Sequence, residues 1–142
     1  MSAHVFHEIY LHINWHTKDD QALILAEVES AVYGFIEAQC RASDGVGFHG
    51  VGGMNNHIHL AVDIEPTVCI SDLVGDIKGA SAHEVRWPSG MKALEWQRSF
   101  AVVSFGKKNL PWVLDYIARQ KEHHTTQNLY ERLEWGGGEA AT

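Results

Sequence analysis

Cysteine is scarce: the 142 residues hold two, Cys40 and Cys69, and no C-x-x-C pair. That excludes a disulfide framework and a cysteine-based metal knuckle, and sets the expectation of a reduced, cytoplasmic protein. Long apolar runs are missing as well. No stretch approaches the roughly 18 unbroken apolar residues that a membrane helix needs, so no membrane partner is expected. The opening segment, MSAHVFHEIYLH, has no basic region followed by an apolar one and does not read as an export signal. Basic residues are outnumbered, 11 Lys and Arg against 18 Asp and Glu, for a formal net charge of −7. Taken over the whole chain, that balance argues against a polyanionic partner. Its distribution is uneven, however. From Lys78 to Arg132 there are nine basic and five acidic residues. That stretch has the material for a modest basic face, although an even mixture of solvated charges explains the same counts.

What is present is ordinary for a folded protein: 45% hydrophobic and 20% charged residues, which excludes wholesale disorder. The length suits one domain over residues 1–142, with 135–142 as a frayed tail. Val5, His7, Ile9, Leu11, Ile13 and Trp15 alternate through residues 4–16 and predict a strand. Leu23, Ala26, Val28, Ala31, Val32, Phe35 and Ile36 follow a period near 3.6 and predict a helix stopping at Ser43-Asp44-Gly45. Two strands are expected at Val46–Met54 and His57–Ile64, joined by a tight turn at Asn55-Asn56. A second helix is expected from Pro66-Thr67 to about Val85, and a fourth strand from Gln97 to Phe105. A third helix runs from about Asn109, with Pro111 in its first turn, through His124. Thr126 to Trp135 has the makings of a further short helix. The glycine-rich stretch from Ser43 to Gly53, with His49, has no assigned role. The order strand, helix, strand, strand, helix, strand, helix predicts an α+β chain. It is the ferredoxin-like split βαββαβ antiparallel sheet with an added C-terminal helix carrying Tyr116. Such a fold hosts many functions and decides none.

Two groups of residues stand out chemically. His57-Ile58-His59 lies on a predicted strand, where residues two apart project to one face, so both imidazoles can meet one cation. Roughly 0.7 such pairs are expected by chance in a chain this rich in histidine. On spacing alone, two satisfied or exposed histidines are therefore the simpler reading. The second group is Tyr116, Gln120 and His123 on the third helix, where spacings of four and seven place them on one stripe. A phenol, an amide and an imidazole there are unusual for an apolar core. The stripe of Trp112, Val113, Leu114 and Ile117 is the better candidate for packing, although a tyrosine at a core edge is common.

Together these segments resemble the single-tyrosine HUH transposases of the insertion-sequence 200/605 group and their REP-associated relatives. Ile9–Lys18 resembles the family's first strand, and Met54-Asn55-Asn56-His57-Ile58-His59-Leu60 its HUH strand. Lys78-Gly79-Ala80-Ser81-Ala82 resembles the run ending its second helix, Trp96–Phe100 the following strand, and Tyr116-Ile117 with Gln120 and His123-His124 its nucleophile helix. The resemblance spans about residues 8–130. It implies that His57, His59 and Gln120 bind a divalent metal, Mg²⁺ or Mn²⁺. Tyr116 would then cleave single-stranded DNA at hairpin-associated sites through a 5′-phosphotyrosine intermediate. His123 and His124 would be auxiliary, shuttling a proton or contacting phosphate. The resemblance also implies a homodimer in which the tyrosine helix can act in trans. Lys78, Arg86, Lys107, Lys108, Arg119 and Lys121 are candidates for phosphate contacts, and Trp87 or Trp112 for base stacking. Two alternatives remain: a domesticated hairpin- or repeat-binding protein without transposition activity, and an unrelated ferredoxin-like ligand module.

Overall fold

A computed structural model of the chain describes residues 5–126 and 129–136. Four strands form one antiparallel sheet in the order β2-β3-β1-β4: β1 (Tyr10–His16), β2 (Val46–Met54), β3 (His57–Ile64) and β4 (Ala101–Phe105). Helices α1 (Ala26–Ala42) and α2 (Ile70–Glu84) cover one face, and α3 (Leu110–Ala118) with α4 (Gln120–Thr126) approaches the other. This is the expected α+β, ferredoxin-like arrangement, with Tyr116 on the added helix α3.

Alternation along the two central strands divides their side chains cleanly. Leu11, Ile13 and Trp15 of β1, with Ile58, Leu60 and Val62 of β3, join Val28, Val32, Ile36 and Ile77 in the main core. The opposite parity, His12, Asn14 and His16 opposite Ala61, His59 and His57, faces away from that core. A strand with one apolar and one polar side is ordinary at a surface. Here the polar side is also buried: His12, Asn14, His57 and His59 are all nearly inaccessible.

Several boundaries differ from the sequence-based expectations. The first strand's ladder begins at Tyr10, opposite Asp63 of β3 and Phe105, the last residue of β4, and before it the Ile9 carbonyl accepts from the Ile64 amide at 3.0 Å. The first helix begins at Ala26 rather than near Leu23, since the Ile24 amide donates to the Asn55 carbonyl of the β2–β3 turn. The second begins at Ile70 rather than Pro66, after a turn in which Val68 donates to the Glu65 carbonyl. The fourth strand begins at Ala101 rather than Gln97. The Gln97 and Ser99 carbonyls turn to the Lys78 ammonium, each at 2.7 Å, and not to β1.

The expected continuous third helix is broken at Arg119 (φ −106°, ψ 29°), with no proline or glycine to cause it. In place of a further helix, Thr126–Trp135 shows a 3-10 turn over Glu131–Leu133, with residues 127–128 outside the described set. Of the expected frayed tail, 137–142 likewise lie outside the described residues, whereas the Trp135 carbonyl accepts a 2.6 Å hydrogen bond from Asn14 Nδ2. The expected packing stripe is also revised. Val113, Tyr116 and Ile117 are buried, and Trp112 is 49% exposed.

The glycines of β2 now have a role. A Cβ on Gly52 would lie 2.6 Å from the Ile117 carbonyl oxygen, and one on Gly50 2.9 Å from Leu114 Cδ2. The Leu114 methyl can turn aside, but the Ile117 backbone cannot, so glycine at position 52 lets α3 sit directly against the sheet.

Candidate functional site

The two histidines of His57-Ile58-His59 project to the α3 side of β3, while Ile58 enters the main core. Each ring is oriented by a hydrogen bond at Nδ1. His57 Nδ1 donates to Asn56 Oδ1 at 2.7 Å, and His59 Nδ1 lies 2.8 Å from His12 Nε2. With the proton on His59 Nδ1, both Nε2 atoms present lone pairs to the same space, as metal-binding imidazoles do. Neither Nε2 atom has a hydrogen-bond partner among the described residues, although both are buried. Buried polar atoms without partners are rare in folded proteins, and an ion between them would satisfy both.

Two more donors reach that space from the C-terminal part of the chain. His124 comes from α4, its ring centroid 5.0 Å from that of His57. Glu134 follows the 3-10 turn, and its Oε1 lies 3.4 Å from the Nε2 atoms of His57, His59 and His124. Candidate ligand atoms of these four residues all lie within 4.8 Å of one another. Gln120 is buried beside them, its Oε1 3.1 Å from His124 Nε2 and its Nε2 donating to the Tyr116 carbonyl. This donor set can hold a metal ion.

Tyr116 adjoins the same cluster, its ring 5.9 Å from that of His59. Trp112 stacks on one side of it at 5.5 Å and His123 at 4.6 Å. Its hydroxyl donates to Glu134 Oε2 and accepts from the Tyr130 amide at 2.9 Å. Burial, and then the adjoining Glu134 carboxylate, push the phenol up to about 12.

Burial alone would push the Glu134 carboxyl up as well. The imidazoles of His57 and His59 and the Tyr116 hydroxyl outweigh that and hold it well below the usual carboxylate range. Burial, reinforced by neighbouring His59, lowers His12 from 6.5 to about 3. Burial is also the leading cause of the lowered values of His59, His16 and His124.

The model of the family described as "Transposase IS200 like" matches residues 5–120 of the chain. The chain belongs to the IS200-like transposase family. Two solved structures share its fold. One is a candidate transposase of Deinococcus radiodurans R1, 20% identical, covering 84% of this chain and 96% of its own, with a TM-score of 0.64. The other is a REP-associated tyrosine transposase bound to a REP hairpin, 16% identical, covering 97% of this chain and 93% of its own, with a TM-score of 0.62. No curated protein matches the chain.

In this IS200-like transposase the other expected site residues are dispersed. Lys78 is half-buried on two backbone carbonyls, and burial lowers its ammonium to about 8. Arg119 pairs with Asp115 and Glu122, Lys121 pairs with Glu29, and Arg86 bonds the carbonyls of His83 and Gly90. Lys107 and Lys108 are exposed in the turn before α3, without an ion pair among the described residues. Trp87 packs on the main core, whereas Trp112 is exposed above Tyr116.

Sequence reasoning missed His12, Asn56 and Glu134. His12 carried a signal, since it alternates with Leu11 and Ile13 on the polar side of a strand otherwise read for its apolar side. Glu134 carried none, lying 75 residues beyond His59 in a segment without periodicity.

Proposed function

We propose that this IS200-like transposase cleaves and rejoins single-stranded DNA at hairpin-associated sites, using Tyr116 as nucleophile and a divalent metal held by His57 and His59. The observation that carries the reading is the pair of unpartnered imidazole Nε2 atoms beside a buried tyrosine. Gln120 and His124 of α4 offer further donors beside them. When bound, the cation neutralises the scissile phosphate and stabilises the charge that builds on its oxygens. The chain's own residues supply position and the nucleophile. Attack by the Tyr116 oxygen forms a phosphotyrosine bond and breaks the bond from phosphorus to the 3′-oxygen. The phenol proton ends on the freed 3′-hydroxyl, with His123 or His124 as its carrier. The covalent link conserves the phosphodiester bond energy, so rejoining needs no nucleotide cofactor.

Both Mg²⁺ and Mn²⁺ are candidates from the family resemblance, and the nitrogen-rich donor set suits Mn²⁺ better than Mg²⁺. A REP hairpin is bound by the solved relative, which supports a hairpin as the substrate of this chain. Trp112 and Tyr130, whose rings meet at 5.2 Å, flank a cleft of about 460 Å³ that also includes Arg132. These groups suit an unpaired base and its phosphate. A homodimer is the family's arrangement. Cis use of Tyr116 is favoured by the packing of Val113 and Ile117 of α3 on their own sheet.

A second reading is a hairpin-binding protein without strand transfer, favoured by the 3% exposure of Tyr116. Labelled hairpins from both flanks of the gene, incubated with protein and Mn²⁺, separate the two. A denaturation-resistant adduct, lost with Tyr116→Phe and with EDTA, is the expected result. Tight binding without an adduct selects the second reading.

A further inference from the structure

Trp112 and Tyr130 are large aromatic side chains left exposed, at 49% and 46%. They do not stand alone. Their rings meet edge to face at 5.2 Å, and the Trp112 indole lies nearly parallel to the Tyr116 phenol, at 5.5 Å and 13°. The pair lines two clefts at once, which therefore adjoin. The smaller, of about 250 Å³, also takes in Tyr116 and His123. The larger, of about 460 Å³, extends from the same two rings to Val103 and Phe105 of β4, Asn109 and Arg132.

The lining of the larger cleft limits what can occupy it. Its walls are mostly aromatic and aliphatic, its one charged group is the Arg132 guanidinium, and no carboxylate lines it, although the chain as a whole carries −7. Arg132 is exposed, and the Asn109 side chain makes no capping bond to α3. Flat rings with one cation and one amide at hand match a nucleobase joined to phosphate. Among the bases, purines fit best. They offer the indole a larger face, and both carry N7, an acceptor that amide and guanidinium N–H groups recognise and that pyrimidines lack.

We propose that the larger cleft is the pocket for one unstacked purine of a single-stranded DNA substrate, with Trp112 as its platform and Arg132 and Asn109 reading its edge. The inference rests on the single-stranded DNA reading above and adds to it the base class and the side chains that select it. Because the two clefts share Trp112 and Tyr130, a purine seated in the larger one brings its neighbouring backbone to the cleft that contains Tyr116. Selecting the base and presenting a phosphate to the phenol are then one binding event.

The test is fluorescence anisotropy of the full chain with fluorescein-labelled oligothymidylate, either all thymine or with one central adenine, guanine or deaza-adenine lacking N7. Wild type is compared with Trp112→Ala, Trp112→Phe and Arg132→Gln. Wild type should favour the adenine and guanine strands over the all-thymine strand. Trp112→Ala should weaken the purine strands at least about fivefold, the lower end for loss of one base–aromatic stack, and erase their advantage. Trp112→Phe keeps a platform and should retain the advantage, whereas Arg132→Gln and the loss of N7 should each reduce it. The readout is a ratio between strands on one protein, so a general loss of folded protein does not imitate it. Equal binding of purine and all-thymine strands by wild type overturns the pocket and leaves the strand-cleaving reading standing, as does an advantage that survives Trp112→Ala. A dimer in sedimentation that Trp112→Ala dissociates, with no purine advantage, assigns the cleft to a second copy of the chain. Failure of wild type to bind any strand overturns the pocket, and failure to form the hairpin adduct as well overturns both readings.

Discussion

At the scale of single residues, the site depends on imidazoles kept neutral in a buried place. His12 is the clearest case, because its Nε2 partners His59 Nδ1 and its own value is lowered from 6.5 to about 3, chiefly by burial. Its folded-state value lies below that of the unfolded chain, so between those two pH values the unfolded chain binds the extra proton. Stability therefore falls as pH drops from about 6.5 towards about 3, by up to about 1.4 kcal/mol per pH unit from this group. Glu134, also lowered, contributes in the same direction once pH falls below its ordinary value of 4.5. Urea midpoints of the metal-free protein at several pH values should decline through this window. The decline should be shallower in His12→Gln, which keeps an acceptor but cannot titrate. Equal slopes in the two proteins would mean that His12 is not held neutral by the fold.

At the scale of elements, the decisive contact is between α3 and β2. Tyr116 can reach His59 only if its helix lies directly on the sheet, and Gly52 permits that because a Cβ there would collide with the Ile117 carbonyl. Gly52→Val should force α3 outward, costing about 1–3 kcal/mol of stability and reducing the tyrosine–DNA adduct further than the stability loss explains. Gly79→Ala is the matching control, since nothing lies within 4 Å of its added Cβ. It should stabilise helix α2 by about 0.5–1 kcal/mol and leave the adduct unchanged. Thermal midpoints and adduct yields on the two variants check both expectations.

At the scale of the whole molecule, charge is the feature that sets this transposase apart from an ordinary nucleic-acid binder. Its net charge is −7, and several of its cations are engaged: Arg119 with Asp115 and Glu122, Lys121 with Glu29, Lys78 with two carbonyls. Few remain for phosphate, so the salt dependence of hairpin binding should be small in slope and the affinity should lean on stacking. Exposed Lys107 and Lys108, just before the tyrosine helix, are the best placed. Replacing both by Ala should reduce the slope of log K against log salt by about 0.7 for each single-strand phosphate that is no longer neutralised. Fluorescence anisotropy over a range of salt concentrations measures it. An unchanged slope would remove this turn from the interface.

Much of the molecule is legible in local pattern. Period-two alternation in β1 and β3, the 3.6 period of α1 and the turn at Asn55-Asn56 determine the order of elements. The spacing of His57 to His59 marks one half of the site, because both sit on β3, whereas Tyr116 and Gln120 stay neighbours across the break that divides α3 from α4. Such regularities are written in the chain, since strand and helix geometry place neighbours at fixed offsets. Tertiary structure alone decided the rest. The closeness of α3 to Gly52, the pairing of His12 with His59 and the arrival of Glu134 all join segments far apart in sequence. No local offset encodes them. They follow from which faces pack together, and packing is settled by the shape of the assembled core rather than by any one segment.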